Sequence, residues 1–244
     1  MKTLEKTFNV PSNGYFGGPK QITLRAMTTK EEKILYTSRD MKFLERLIKS
    51  CCVEPADLDT GLLHQNDLMF LTFALRELTF GSTYEQDIIC PDCGTKQKVE
   101  IDISEMEVSI LDTEHLDEIL KVELPVNKDT LQLKLMSKGE SNKIERLVKS
   151  KNAKGKIKNP EEYEFLLKLT ALIDTKNGED FESEESKQNY VDNLNLRDLN
   201  AIQNALLQAD FGIDNSNIRV CSNCGEDIEV NGLICPEFFR PTKY

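Results

Sequence analysis

The residues of this chain best suited to chemistry are four cysteines. Cys90 and Cys93 lie in Cys90-Pro91-Asp92-Cys93-Gly94, and Cys221 and Cys224 in Cys221-Ser222-Asn223-Cys224-Gly225. A Cys-x-x-Cys brings two sulfurs within reach of one ion, and two such pairs supply the four-thiolate tetrahedron that structural zinc prefers. The glycine after each pair permits the tight return a knuckle needs. The 127 residues between the pairs far exceed the usual ribbon spacing of about 15–20. The flanks nonetheless match: Tyr84–Ile89 and Ile218–Val220 lead in as strands, while Gln97–Ile103 and Glu226–Val230 lead out. The pattern predicts one zinc ribbon split by a long insertion, with one structural zinc per chain. Four protein ligands leave no open position, so such a metal is a scaffold and not a catalyst.

Two alternatives compete with that reading. A redox CxxC sits at a helix N-terminus, where the dipole lowers the thiol pKa, but strand-like residues follow both pairs here. Two separate metal sites would each lack two ligands. Of the remaining cysteines, Cys51 and Cys52 end a helical pattern and Cys235 precedes Pro236. All three read as small buried hydrophobes, with Cys235 near enough to the second knuckle to serve as a spare ligand. The two histidines, His64 and His115, have no spacing partner.

The elements that must position the cysteines follow from periodicity. Ile22, Leu24 and Ala26 alternate along a strand over 21–27. Thr29-Lys30-Glu31-Glu32 fits a capping box opening a short helix. A second helix, about Arg39–Cys51, places Met41, Leu44, Leu47 and Ile48 on one stripe. A third, about Asp67–Leu78, is apolar nearly all round, which marks a core helix. Gly81 ends it, and the first knuckle follows directly, so the ribbon should lean on this helix. Within the insertion, Lys121–Leu124 and Leu131–Met136 form a hairpin around Pro125 and Asn127-Lys128-Asp129. Its buried face carries Leu131, Leu133 and Leu135. Helices are predicted at about Gly139–Lys149, from Asn159-Pro160-Glu161-Glu162 onward, at Glu184–Asn193 and at Leu196–Ala209, with Gly212 as a stop. The fold class is α+β: a mostly helical domain with a small β-hairpin and a split four-cysteine zinc ribbon, interrupted by a long helical insertion. The corresponding units are 1–83, a strand plus helices; 84–104 and 217–234, the ribbon halves; 105–216, the inserted module; and 235–244, a tail.

Composition narrows the function. At 244 residues with a formal charge of −11, the chain is a poor match for nucleic-acid backbone, whose binding depends on Lys and Arg, or for an anionic membrane. The N-terminus lacks the apolar core of a signal peptide, and Leu68–Leu75 is too short to span a bilayer. A soluble protein made in a reducing cytosol is expected. No phosphate-binding G-x-x-x-x-G-K-[ST] loop and no G-x-S-x-G elbow occurs, and no histidine couple is available. The chain reads as a non-enzyme without a small-molecule substrate. Lys149, Lys151, Lys154, Lys156 and Lys158 form a basic run, and Glu179, Asp180, Glu182, Glu184 and Glu185 an acidic one. Such runs are solvated segments or docking patches for oppositely charged partners. Aromatics near the ends (Phe8, Tyr15, Phe16, Phe238, Phe239) either pack on their own domain or offer a partner a grip.

With Asn9-Val10-Pro11-Ser12-Asn13-Gly14, the two knuckles, the Val122-Glu123-Leu124-Pro125 hairpin and the Phe238-Phe239-Arg240 tail in this order, the chain resembles the baseplate hub and hub-assembly proteins of T-even-type contractile-tailed bacteriophages. The resemblance spans essentially the whole chain. It implies a structural or assembly role in the tail baseplate hub, contacts with other baseplate and hub proteins, and residence in the host cytoplasm during assembly and in the virion tail baseplate. Carried over residue by residue, it gives Cys90, Cys93, Cys221 and Cys224 as structural metal ligands. The competing class is a zinc-ribbon regulatory or nucleic-acid-associated factor, which a basic face around the knuckles would favour. The residues there are mixed or acidic, among them Glu85, Asp87, Asp92 and Asp227.

Overall fold

The computed structural model describes residues 4–37, 42–214, 218–230 and 236–239. Strand β1 (Glu5–Asn9) pairs antiparallel with β2 (Gln21–Arg25), and β2 pairs with β3 (Cys52–Glu54). Between β2 and β3 run helices α1 (Thr29–Thr37) and α2 (Phe43–Cys51). The α1 cap is one residue earlier than the sequence pattern predicts. Thr28, not Thr29, donates its N–H and hydroxyl to Glu31 Oε2 at 2.9 and 2.8 Å. Glu31, not Glu32, is therefore the capping carboxylate, because it also reaches Arg25 (2.9 Å) and Ser50 (2.7 Å). Arg39 and Met41, expected in the second helix, lie outside the described residues.

Helix α3 (Gln65–Phe80) is the central strut. Leu68, Leu71, Phe73, Ala74 and Leu75 are buried on different sides of it, as its all-round apolar pattern predicts. His64 caps it: Nδ1 accepts from Asn66 N–H, and Asp67 returns to His64 N–H at 2.8 Å. Gly81, at φ +88°, ends it. Two hairpin strands follow, β4 (Thr83–Ile89) and β5 (Lys96–Asp102), paired over their full length.

The remainder of the chain up to the second knuckle holds a core of its own. After β6 (Val108–Ser109) and α4 (Leu116–Ile119), strands β7 (Lys121–Glu123) and β8 (Thr130–Leu133) form the expected hairpin. Leu131, Leu133 and Leu135 share its buried face. Helices α5 (Lys138–Ala153) and α6 (Pro160–Leu172) follow, the second capped by Asn159 with proline at its start. Ile173 does not prolong α6 but begins β9 (Ile173–Lys176), which makes the hairpin a three-stranded sheet. A β-branched residue at a helix end can supply a sheet edge as readily as a last turn. Helices α7 (Glu184–Asp192) and α8 (Leu196–Gln208) complete this layer. Gly212 is not a helix stop but part of β10 (Gly212–Ile213), which returns to β6. A short hairpin, β11 (Ile218–Val220) with β12 (Asp227–Glu229), closes the described sheets.

Two clusters of buried side chains result. One joins β1–β3, α1–α3 and both knuckle hairpins, including Tyr84, Ile101, Ile228 and Phe238. The other lies among α4, α6–α8 and the β7–β8–β9 sheet. They meet at the start of α3. Phe16 stacks on His64 at 5.5 Å, and Phe211 lies 4.9 Å from the same ring. Asn66 donates to Asp210 and to the Phe211 carbonyl, while Pro11 accepts from Leu111 N–H. No helix of the described residues is long and apolar enough to cross a membrane.

Candidate metal centre

Both knuckles are built by the same backbone device. Cys90 N–H donates to the Thr95 carbonyl at 2.9 Å, and Gly94 N–H returns to the Cys90 carbonyl at 3.0 Å. In the second knuckle Cys221 N–H donates to Glu226 at 2.8 Å and Gly225 N–H to Cys221 at 3.0 Å. Gly94 and Gly225 occupy φ of +70° and +79°, a conformation that a Cβ opposes. Repetition of one turn in two segments presents two pairs of sulfurs in matching orientation.

The pairs face each other. Cys90 Sγ lies 3.7 Å from Cys224 Sγ, and Cys93 Sγ lies 3.6 Å from Cys221 Sγ. All four sulfurs fall within 4.8 Å of one another. A tetrahedron with metal–sulfur bonds of about 2.3 Å has sulfur–sulfur edges of about 3.8 Å, whereas a disulfide needs about 2.05 Å. The spacing thus fits four ligands around one ion. Cys90 and Cys221 are buried and Cys93 and Cys224 exposed, so the cluster sits at the rim of the core.

Among the described residues no strand pairing joins the two hairpins; side chains do. Gln97 Nε2 donates to the Val220 carbonyl at 3.1 Å, and its Oε1 accepts from Ser222 N–H at 2.8 Å and Ser222 Oγ at 3.0 Å. Arg219 donates to the Glu100 carbonyl at 3.3 Å. Sequence reasoning missed Gln97, because a glutamine in a strand carries no spacing signal.

The thiols do not titrate alike. Hydrogen bonds from Thr95, first its hydroxyl and then its backbone, pull Cys93 down to about 6. Backbone N–H groups of Cys224 and Asn223 lower Cys221. At Cys224 the Glu226 backbone also pulls down, but the sulfurs of Cys221, Cys93 and Cys90 outweigh it and push that thiol to about 12. Crowded sulfurs retain a proton unless a cation neutralises them.

The first hairpin is anchored to α3. Arg76 donates to the Gly81 carbonyl and, at 2.8 Å, to the Thr83 carbonyl. Its guanidinium stands over the rings of Phe80, Tyr84 and Phe238 at 5.7–5.8 Å. Phe238 is wholly buried between Phe73 and Tyr84, and Phe239 packs on Phe43. Of the two roles open to the terminal aromatics, these two take the internal one. Cys51 is buried and Cys52 half-buried, 3.3 Å from the Pro55 carbonyl, in keeping with small hydrophobes. Cys235 and Arg240 lie outside the described residues. His64 is the α3 cap, and exposed His115 pairs with Asp112 at 2.8 Å.

Fold and site together define a chain whose distinctive feature is a four-cysteine cluster joining two segments far apart in sequence. The sequence model of a phage family, described as T4 bacteriophage base plate protein, matches residues 1–240. The chain belongs to this family, and is thus of the phage baseplate, a part of the virion tail. No curated protein and no solved structure matches it.

Proposed function

We propose that this protein is a non-enzymatic structural or assembly protein of the tail baseplate hub, binding other tail proteins and stabilised by one structural zinc. The full-length family match carries the baseplate part of this reading. The sulfur cluster supports the zinc: Cys90, Cys93, Cys221 and Cys224 would hold the ion, which would supply charge neutralisation and a crosslink. Thiolates outnumber all other donors there, and soft sulfur selects zinc over magnesium or calcium.

The hub assignment follows the resemblance of the knuckles, the loop at Asn9–Gly14 and the Val122–Pro125 hairpin. Residues 84–104 with 217–234 act in this reading as a clasp that fixes both ends of the inserted unit, 105–216, which meets the partners. Residues 1–83 form the platform and 235–244 the tail. Assembly takes place in the host cytoplasm.

Quantitative mass spectrometry of purified virions against infected-cell lysate tests the reading. Enrichment in virions, with crosslinks to hub subunits, is expected for a hub component. Absence from virions with crosslinks to free hub intermediates is expected for an assembly factor. Crosslinks confined to non-tail proteins in both fractions would overturn it.

A further inference from the structure

The strongest local departure from the chain's character lies around the end of α5. Between Lys143 and Lys158 seven cationic side chains accompany one carboxylate, Glu145, in a chain of net charge −11. Glu145 is already engaged, 3.4 Å from Lys42. Lys149, Lys154, Lys156 and Lys158 form no ion pair among the described residues. Self-neutralisation, the usual fate of surface lysines in an acidic protein, has not occurred here.

Part of this basic run borders an open cavity of about 660 Å³ between the α5–α6 loop, α6 and the end of α7. Lys151, Lys156 and Lys158 line it together with Ile157, Tyr163 and Leu166. The floor is therefore apolar and the rim cationic. Lys151 donates to the Tyr163 hydroxyl and lies 4.7 Å from its ring centre, which fixes the tyrosine as part of the wall. Glu162 and Asp192 also line the cavity.

We propose that this cavity is a docking groove for an acidic peptide segment of a partner protein, with an apolar side chain seated on Ile157, Tyr163 and Leu166. Charge complementarity selects the occupant: cations without internal partners raise the local concentration of anionic segments and speed encounter. Lysine is the cation used, a point charge suited to scattered carboxylates rather than to the planar bidentate grip of arginine. Nucleic acid fits less well. Tyr163 is the one aromatic residue lining the cavity, with Lys151 over one of its faces, so successive bases would find no stacking platform, and the two carboxylates would repel phosphates. In a peptide complex the same carboxylates can accept backbone N–H groups and set the register.

This proposal rests on the reading of the chain as a binder of other tail proteins, and names the chemistry of one such contact. The test uses the full chain and three fluorescent probes of equal length: an alternating Glu–Leu peptide, a poly-Glu peptide and a single-stranded DNA oligonucleotide. The Glu–Leu peptide should bind more tightly than poly-Glu, which tests the floor. Its affinity should fall at least tenfold in K156E/K158E, with unchanged circular dichroism and melting. The milder K156A/K158A pair should give an intermediate loss and serves if the reversal misfolds. Tightest binding by the oligonucleotide, or peptide binding indifferent to both double variants, would overturn the groove. Incorporation into tails is read separately. Incorporation by a chain that binds none of the probes overturns the groove alone. Peptide binding by a chain that crosslinks to no tail protein supports the groove and overturns the hub reading.

Discussion

At Gln97 a single amide does what strand pairing does elsewhere in the molecule. It donates to one carbonyl of the second hairpin and accepts two hydrogens from Ser222, so it sets how the sulfur pairs face each other. Gln97→Ala should lower stability by about 1–2 kcal/mol in urea unfolding and weaken metal retention against a chelator. Gln97→Glu should keep the Ser222 contacts but lose the bond to Val220. A second residue-scale effect concerns Glu31. Burial pushes its carboxyl up, but Arg25, Ser50 and Thr28 prevail and hold it at about 2. A depressed carboxyl contributes stability that is complete above the ordinary value near 4.5 and is lost as pH falls towards 2. Glu31→Gln should cost about 3 kcal/mol near neutral pH, because it leaves Arg25 without its charge partner, and should flatten the acid limb of the stability profile. His64 works over a higher range. Burial lowers it to about 4, so its neutral capping form favours folding above pH 6.5, and that contribution falls away between 6.5 and 4. Thermal melts should show a decline over that interval that is absent in His64→Asn, since asparagine caps without titrating.

Among the elements, α3 and its contacts decide the architecture. The Phe238 ring fills the space between α3 and β4, so Phe238→Ala should destabilise by about 3–5 kcal/mol, measured by denaturant unfolding, and should loosen the first hairpin in hydrogen exchange. The start of α5 crosses the turn at 60–62 with no room for a side chain: a Cβ on Gly139 would stand 2.9 Å from the Gly61 carbonyl oxygen. Gly139→Ala would otherwise help a helix; here it should lower the melting temperature. Much at this scale was legible in the sequence. The all-round apolar run at 68–78 announced a buried helix, Asn159-Pro160 a helix start and the Leu131–Leu135 alternation a half-buried strand. What escaped was long-range. Strand β1 pairs with β2 and buries only Phe8, with Val10 following just after it, a pattern too short to register. Strand β9 exists because β8 has an open edge 40 residues away. The one-residue shift of the α1 cap depends on Arg25 and on Ser50, and Ser50 lies 19 residues beyond Glu31, outside any local window. The sulfur cluster was readable because ligand spacing survives an insertion of any length.

For the molecule as a whole, the cysteines connect positions that only a very long loop separates. Closing a loop of this length restricts the unfolded chain by about 4–5 kcal/mol in the chain-entropy picture, provided the link holds in the folded state. In the proposed reading, zinc held by the four cysteines would supply that link and remove the proton that crowding keeps on Cys224. Both knuckle hairpins, Phe238 and Phe239 share one buried cluster with β1–β3 and α1–α3, while the β7–β8–β9 sheet and α6–α8 surround another, so metal loss should act first on the coupling between the knuckles. Cys93→Ser and Cys224→Ser should each lower occupancy and folding yield, whereas Cys52→Ser should change neither.

Native mass spectrometry of the purified chain, before and after chelation and paired with thermal melting, tests the clasp most directly. One zinc per chain, absent from Cys93→Ser and accompanied by a clear drop in melting temperature on removal, is the predicted result. A metal-free wild-type chain that melts at the same temperature with zinc and with chelator would contradict it.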